Sequence, residues 1–130
     1  MLVSSGAVYG AQPASLGAID EARDTASPVE IAADPYAAGK LESERLTHEF
    51  GLKNNVQTAI ARCFSFIGID LPLQSKFAVS NFVRSALFGD VIEVNGDGSA
   101  VRSYMDQSDL ARWLLAILSE STEHEIYIAQ

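Results

Sequence analysis

Two apolar runs, Met1–Val3 and Asn55–Phe66, bracket a segment that opens on Asp34-Pro35 and reaches Gly51, and this order restricts the fold more than any other feature of the chain. An aspartate can accept hydrogen bonds from the first free N–H groups of a helix, and a proline is already shaped for its first turn. Asp34 and Pro35 therefore predict a helix start and Gly51 a stop, giving a helix over about 35–50. The upstream run turns abruptly into Ser4-Ser5-Gly6, a pattern suited to a buried strand that ends in a loop. The downstream run lacks helical period and reads as the next strand. Strand, helix, strand implies parallel neighbours, because parallel strands need a long crossover that a helix supplies.

The remaining segments extend the α/β pattern. From Gly10 to Pro35 the chain is rich in Ala, Asp, Glu, Pro and Ser, which predicts a long surface loop, with one short helix near Ile19–Arg23 and the character of a lid. Beyond Leu71-Pro72-Leu73, residues Phe77, Phe82, Val83 and Leu87 supply one face of a second helix, closed by Gly89. Val91–Val94 and Val101–Met105 predict two strands about the Asn95-Gly96-Asp97-Gly98 turn. A third helix is expected over Ser108–Leu118 with Trp113 and Leu114 inward, and a last strand over Glu125–Ala129.

Composition narrows the function. At 130 residues the chain suits one domain, and nine basic against seventeen acidic residues give a formal charge of −8, which argues against a nucleic-acid partner. The single cysteine, Cys63, allows no internal disulfide, and His48 and His124 have no partner at metal-ligand spacing, so no metal is expected. No stretch approaches the apolar length of a membrane span, and Met1-Leu2-Val3 has no basic region or long apolar region of a targeting segment. A reducing cytoplasm is the simplest compartment. Cys63 reads as a small buried hydrophobe, His48 as solvent-facing, and Arg62 as the partner of a carboxylate or carbonyl.

Tyr36 and Lys40 stand four residues apart near the start of the first helix, so both side chains fall on one helix face. An ammonium beside a phenol favours the phenolate, as general acid/base chemistry on a hydroxyl or carbonyl requires. Ser5 could hydrogen-bond the same substrate oxygen.

The order of motifs points further. Ser4-Ser5-Gly6-Ala7-Val8-Tyr9-Gly10, Tyr36-Ala37-Ala38-Gly39-Lys40, Arg62-Cys63-Phe64-Ser65-Phe66-Ile67-Gly68, and Gly96-Asp97-Gly98 leading to Arg102-Ser103-Tyr104 and Asp109-Leu110-Ala111 follow one another along nearly the whole chain. In that order they resemble the NAD-dependent epimerase/dehydratase family, the extended short-chain dehydrogenase/reductases that remodel nucleotide sugars. The resemblance implies an α/β fold in which residues 1–68 form the carboxy-terminal part of a Rossmann-like parallel sheet, and 69–130 part of a small nucleotide-sugar-binding subdomain and the last elements. It implies NAD as cofactor and a nucleotide-diphosphate sugar as substrate. By the same likeness Ser5 holds the sugar oxygen and Tyr36 exchanges its proton. Lys40 tunes Tyr36 and binds the nicotinamide ribose, Phe64 lies against the nicotinamide, and Ser65, Asn81 and Arg102 contact substrate, Arg102 at the diphosphate.

Departures from the family pattern qualify that implication. Dehydratases and decarboxylases of the family resemble each other in carrying acidic residues directly after the serine or threonine, whereas Gly6 and Ala7 stand here, which favours epimerisation or simple oxidation and reduction over 4,6-dehydration. Ser65 stands where epimerases commonly carry an asparagine. No Gly-x-x-Gly-x-x-Gly turn is present to receive a pyrophosphate. The chain is therefore expected to be a fragment starting at the strand of Ser5, with an unpaired first strand, weak or no NAD binding by itself, and a need for a complementing amino-terminal chain. Relatives in the family dimerise through two helices, one of them the helix of Tyr36, and a homodimer stays open beside the complementing chain. Other readings stay open: a nucleotide-sugar 4,6-dehydratase, a non-catalytic remnant or binding module of the same family, or an acidic interaction domain of unrelated fold.

Overall fold

In the computed structural model, which describes residues 1–13, 15–89, 91–122 and 124–130, the first apolar run forms strand β1 (Leu2–Ser5), continuing past Val3. It runs into a 3-10 turn over Gly6–Tyr9 that Ser5 caps, its hydroxyl accepting from the Ala7 N–H at 3.2 Å. The helix of the following loop is α1 (Pro28–Ala33) and not residues 19–23. Ser27 and Glu30 account for the difference, because each side chain takes the other's backbone N–H in a capping box, with Pro28 in the first position. Residues near 19–23 instead tie the loop to the end of the chain. The Gln130 amide donates to the Ile19 carbonyl at 3.0 Å, and the Ile128 N–H donates to Glu21 at 3.1 Å.

Helix α2 (Pro35–Asn54) starts where Asp34-Pro35 places it, with the Asp34 carboxylate accepting from the N–H groups of Tyr36 and Ala37 at 2.9 and 3.2 Å. It does not stop at Gly51. That glycine is buried, and a Cβ there would lie 2.8 Å from the side chains of His124 and Thr58 and from the Val56 carbonyl. Gly51 is therefore a close-packing residue, and Asn55, in the left-handed region at φ 53°, ends the helix.

The strand expected over 55–66 divides at Phe64 into β2 (Ala59–Cys63) and β3 (Ser65–Ile67). Helix α3 (Ala78–Phe88) ends on Gly89 at φ 76°, as its apolar face and glycine predict. The hairpin expected after it is absent: Val91–Val94 forms no strand, and only β4 (Tyr104–Asp106) appears, pairing parallel with β3. A hairpin needs one face to bury. Val91 and Val101 are instead 83% and 67% exposed, so the segment has no face to hold it in ladder form. Helix α4 (Gln107–Glu120) begins at Asp106, which accepts from the Ser108 N–H at 2.8 Å. Leu110, Leu114 and Ile117 turn inward at helical spacing, while Trp113, expected inside, is 46% exposed. Strand β5 (Glu125–Ala129) completes the set.

The main sheet has order β1-β2-β5, with both pairs parallel. All five residues of β2 are buried, as befits a central parallel strand covered on both faces. Ala59, Ala61, Cys63, Ile117 and Ala129 form one core cluster, and Val8, Tyr9 and Ile128 a second one. The architecture is α/β, with parallel sheets and helices in Rossmann-like arrangement. Among the described residues no helix is long and apolar enough to cross a membrane.

Candidate functional site

Ser5 pairs in register with Cys63, and Cys63 with Ala129, so three parallel strands deliver their last residues to one end of the sheet. Phe64 follows immediately, its N–H donating to the Ala129 carbonyl at 3.0 Å. Its ring lies over Gly6, where an added Cβ would come within 2.5 Å of ring carbons. A cleft of about 520 Å³ opens at this end, and Ser5, Phe64, Ser65 and Arg102 all line it. The Ser5 oxygen accepts from the Ala7 N–H, which leaves its own proton to donate. Gln12 also lines this cleft, and its buried Oε1 has no hydrogen-bond donor among the described residues.

Arg102 donates to the Val101 carbonyl at 2.8 Å and pairs with no carboxylate among the described residues. It also borders a second cleft of about 970 Å³, and Asn81 lines that one and not the first. Arg102 and Ala100 line both clefts.

Tyr36 and Lys40 lie in the opening turns of α2, with the Lys40 ammonium 5.8 Å from the centre of the Tyr36 ring. The phenol is 59% exposed, while Lys40 is half-buried. Lys40 Nζ donates to the Val3 carbonyl at 3.0 Å, two residues ahead of Ser5, and so ties the pair to β1. Neither Tyr36 nor Lys40 lines the cleft that holds Ser5. Burial pushes the thiol of Cys63 up, and the Lys40 charge works in the opposite direction.

Sequence reasoning expected a partner for Arg62 without naming it. The structure supplies Glu44 of α2: Arg62 Nε donates to Oε1 at 3.0 Å and Nη2 to Oε2 at 2.7 Å. Arg62 Nη1 also donates to the Tyr9 hydroxyl at 2.8 Å, with the guanidinium 4.9 Å from the centre of that ring. The Ser4 hydroxyl donates to the same Glu44 carboxylate. All four residues are buried, between 2% and 5% exposed. Burial opposes the charge on Arg62, and its bonds to Glu44 and then Tyr9 outweigh that effect and raise its pKa. One signal for Glu44 lay in the sequence, since it continues the four-residue spacing of Tyr36 and Lys40 along one helix face.

Residues 1–129 match the NAD dependent epimerase/dehydratase family. The chain belongs to that family. A UDP-glucuronic acid decarboxylase of Arabidopsis thaliana is 31% identical over 118 residues, which are 91% of this chain and 26% of that protein. This epimerase/dehydratase chain also resembles solved structures. With a UDP-N-acetylglucosamine 4-epimerase from Methanobrevibacter ruminantium, in complex with UDP-N-acetylmuramic acid, the TM-score is 0.82 at 21% identity, covering 98% of this chain and 39% of the other. With a dTDP-glucose 4,6-dehydratase from Streptomyces venezuelae, carrying bound NAD, it is 0.78 at 25% identity, covering 98% and 37%. The chain spans about a quarter of the length of the curated relatives it matches.

Proposed function

We propose that this chain carries the proton-transfer and sugar-binding part of an NAD-dependent nucleotide-sugar epimerase or oxidoreductase that works through a keto-sugar. The observation that carries the reading is the Tyr36–Lys40 couple, held to β1 by the Lys40–Val3 bond two residues from Ser5. Tyr36 takes the proton of a sugar hydroxyl and returns it, Lys40 stabilises the phenolate, and Ser5 donates its free proton to the same oxygen. Arg102, without a carboxylate partner among the described residues, pairs with the diphosphate, and Asn81 and Ser65 give further polar contacts. The unpartnered Gln12 Oε1 can accept from a sugar hydroxyl.

The nicotinamide end of NAD would be held by the Tyr36 phenol, the adjacent Lys40 ammonium and the Phe64 ring, of which three only Phe64 lines the cleft. Its pyrophosphate end has no such groups: the sequence has no glycine-rich turn whose backbone N–H groups could receive it. When bound, NAD would supply a reversible hydride acceptor for the sugar carbon. The missing contacts are to be supplied by an amino-terminal βαβ unit. A second copy could not supply that turn; a homodimer is a separate proposal, with the exposed Leu46 and Phe50 of α2 as its support.

Gly6 favours epimerisation or simple redox chemistry over 4,6-dehydration, since an acidic side chain at that position would collide with Phe64 unless the ring moved. A binding module without turnover is the second reading, favoured by the absence of Tyr36 and Lys40 from the cleft lining. Joining the chain to a glycine-rich βαβ half from a relative and assaying UDP- and dTDP-hexoses with NAD tests both. The expected result is sugar interconversion that falls by about 10²–10⁴-fold in Tyr36→Phe. Sugar binding without turnover would select the second reading, and full turnover by Tyr36→Phe would end the first. The chain alone is expected to bind NAD weakly or not at all, and tight binding in isothermal titration would contradict that.

A further inference from the structure

The buried cluster of Ser4, Tyr9, Glu44 and Arg62 draws its members from β1, the 3-10 turn, α2 and β2. An ion pair removed from water gains little net stability over apolar residues of the same volume, because desolvation of both charges offsets their attraction. Its geometry, however, is highly specified. Both carboxylate oxygens of Glu44 are engaged by separate nitrogens of Arg62, a third nitrogen holds Tyr9, and Ser4 takes a remaining position on Oε1. Planar bidentate pairing of this kind fixes direction as well as distance.

Position in the fold gives that rigidity a use. Glu44 lies one turn beyond Lys40 and two beyond Tyr36 on one helix face, about 6 and 12 Å along the axis at 1.5 Å per residue. Ser4 and Arg62 are register partners, one step before the pair Ser5 and Cys63 at the strand ends. The cluster therefore sits one layer beneath the end of the sheet where the cleft opens, and joins it to the helix that bears the phenol and the ammonium. Helix α2 has no other charged bond to the main sheet among the described residues besides the one from Lys40 to Val3.

We propose that Glu44 and Arg62, with Tyr9 and Ser4 seated on them, are positioning residues that set the rotation and axial placement of α2 against β1, and thereby bring Lys40 to the Val3 carbonyl. The significance for chemistry rests on the function proposed above, but the geometry does not, so the two fail separately.

The test uses the 130-residue chain with ¹³C,¹⁵N-labelled lysine, reading the nuclear Overhauser contact between the Lys40 side chain and Val3 alongside thermal unfolding. In the paired replacement Glu44→Met with Arg62→Met, the chain is expected to keep or raise its Tm while the Lys40–Val3 contact is lost. A merely structural pair would leave that contact in place. Tyr9→Phe, which retains the ion pair and removes one hydrogen bond, is expected to weaken the contact by a smaller factor, and Glu44→Gln to abolish it. Retention of the wild-type Lys40–Val3 contact in the folded paired variant overturns the proposal. If that variant does not fold, the decision falls to Tyr9→Phe and Ser4→Ala: a weakened contact in both supports the proposal, and an unchanged contact in both overturns it. Loss of turnover in Tyr36→Phe of a complemented enzyme bears on the function alone and leaves this readout untouched.

Discussion

The two ends of the chain solve the problem of shaping a cleft in opposite ways. At the strand ends the wall is fixed from beneath: β2 is buried along its whole length, Phe64 presses on Gly6, and a bidentate ion pair joins helix to sheet. Between residues 91 and 103 the wall is extended chain, exposed throughout and unsupported by a ladder. Ser5 therefore stands on a rigid platform, while Arg102 approaches the same cleft from a segment held by few bonds. Under the function proposed above, chemistry that needs fixed distances would fall to the first region, and recognition of a flexible diphosphate to the second.

The sharpest way to break that contrast is Arg62→Ala, which leaves the Glu44 carboxylate buried without its guanidinium and is expected to cost about 3–5 kcal/mol in urea unfolding. A loss under 1 kcal/mol would show the first region to be as loosely held as the second. Asp34→Ala is next in size. It removes the acceptor for two N–H groups at the start of α2 and should cost about 1 kcal/mol by the same measurement, because the helix can draw on water instead. At the other end, Val94→Ser should change stability by no more than about 0.5 kcal/mol, and a larger loss would mean that the 91–103 segment buries its valines in solution.

Legibility in the sequence follows the same division between local and distant causes. Asp34-Pro35 marked the start of α2 because capping is a matter of neighbouring residues, and the spacing of Phe82, Val83 and Leu87 before Gly89 marked α3 for the same reason. Gly51 misled, since a glycine that stops a helix and one that admits a close neighbour look alike until Thr58 and His124 are in place. The glycine-rich turn at 95–98 also promised a hairpin, but a turn makes strands only when its flanks have something to cover. In the site, the common face of Tyr36 and Lys40 came from helical period alone. The meeting of Ser5, Phe64, Ser65 and Arg102 on one cleft, and the choice of Glu44 by Arg62, are tertiary facts that no local pattern encodes.

Gly51 has a mechanical side as well. Helix α2 is tied to the sheet at Glu44, with the phenol about 12 Å along the axis on one side and Gly51 about 10 Å on the other. A single methyl at Gly51 would push that end of the helix from Thr58, His124 and the Val56 carbonyl, and a stiff helix would pass the strain on to the ties at Glu44 and Lys40. A glycine with no side chain thus bears on how firmly the other end of the helix is seated.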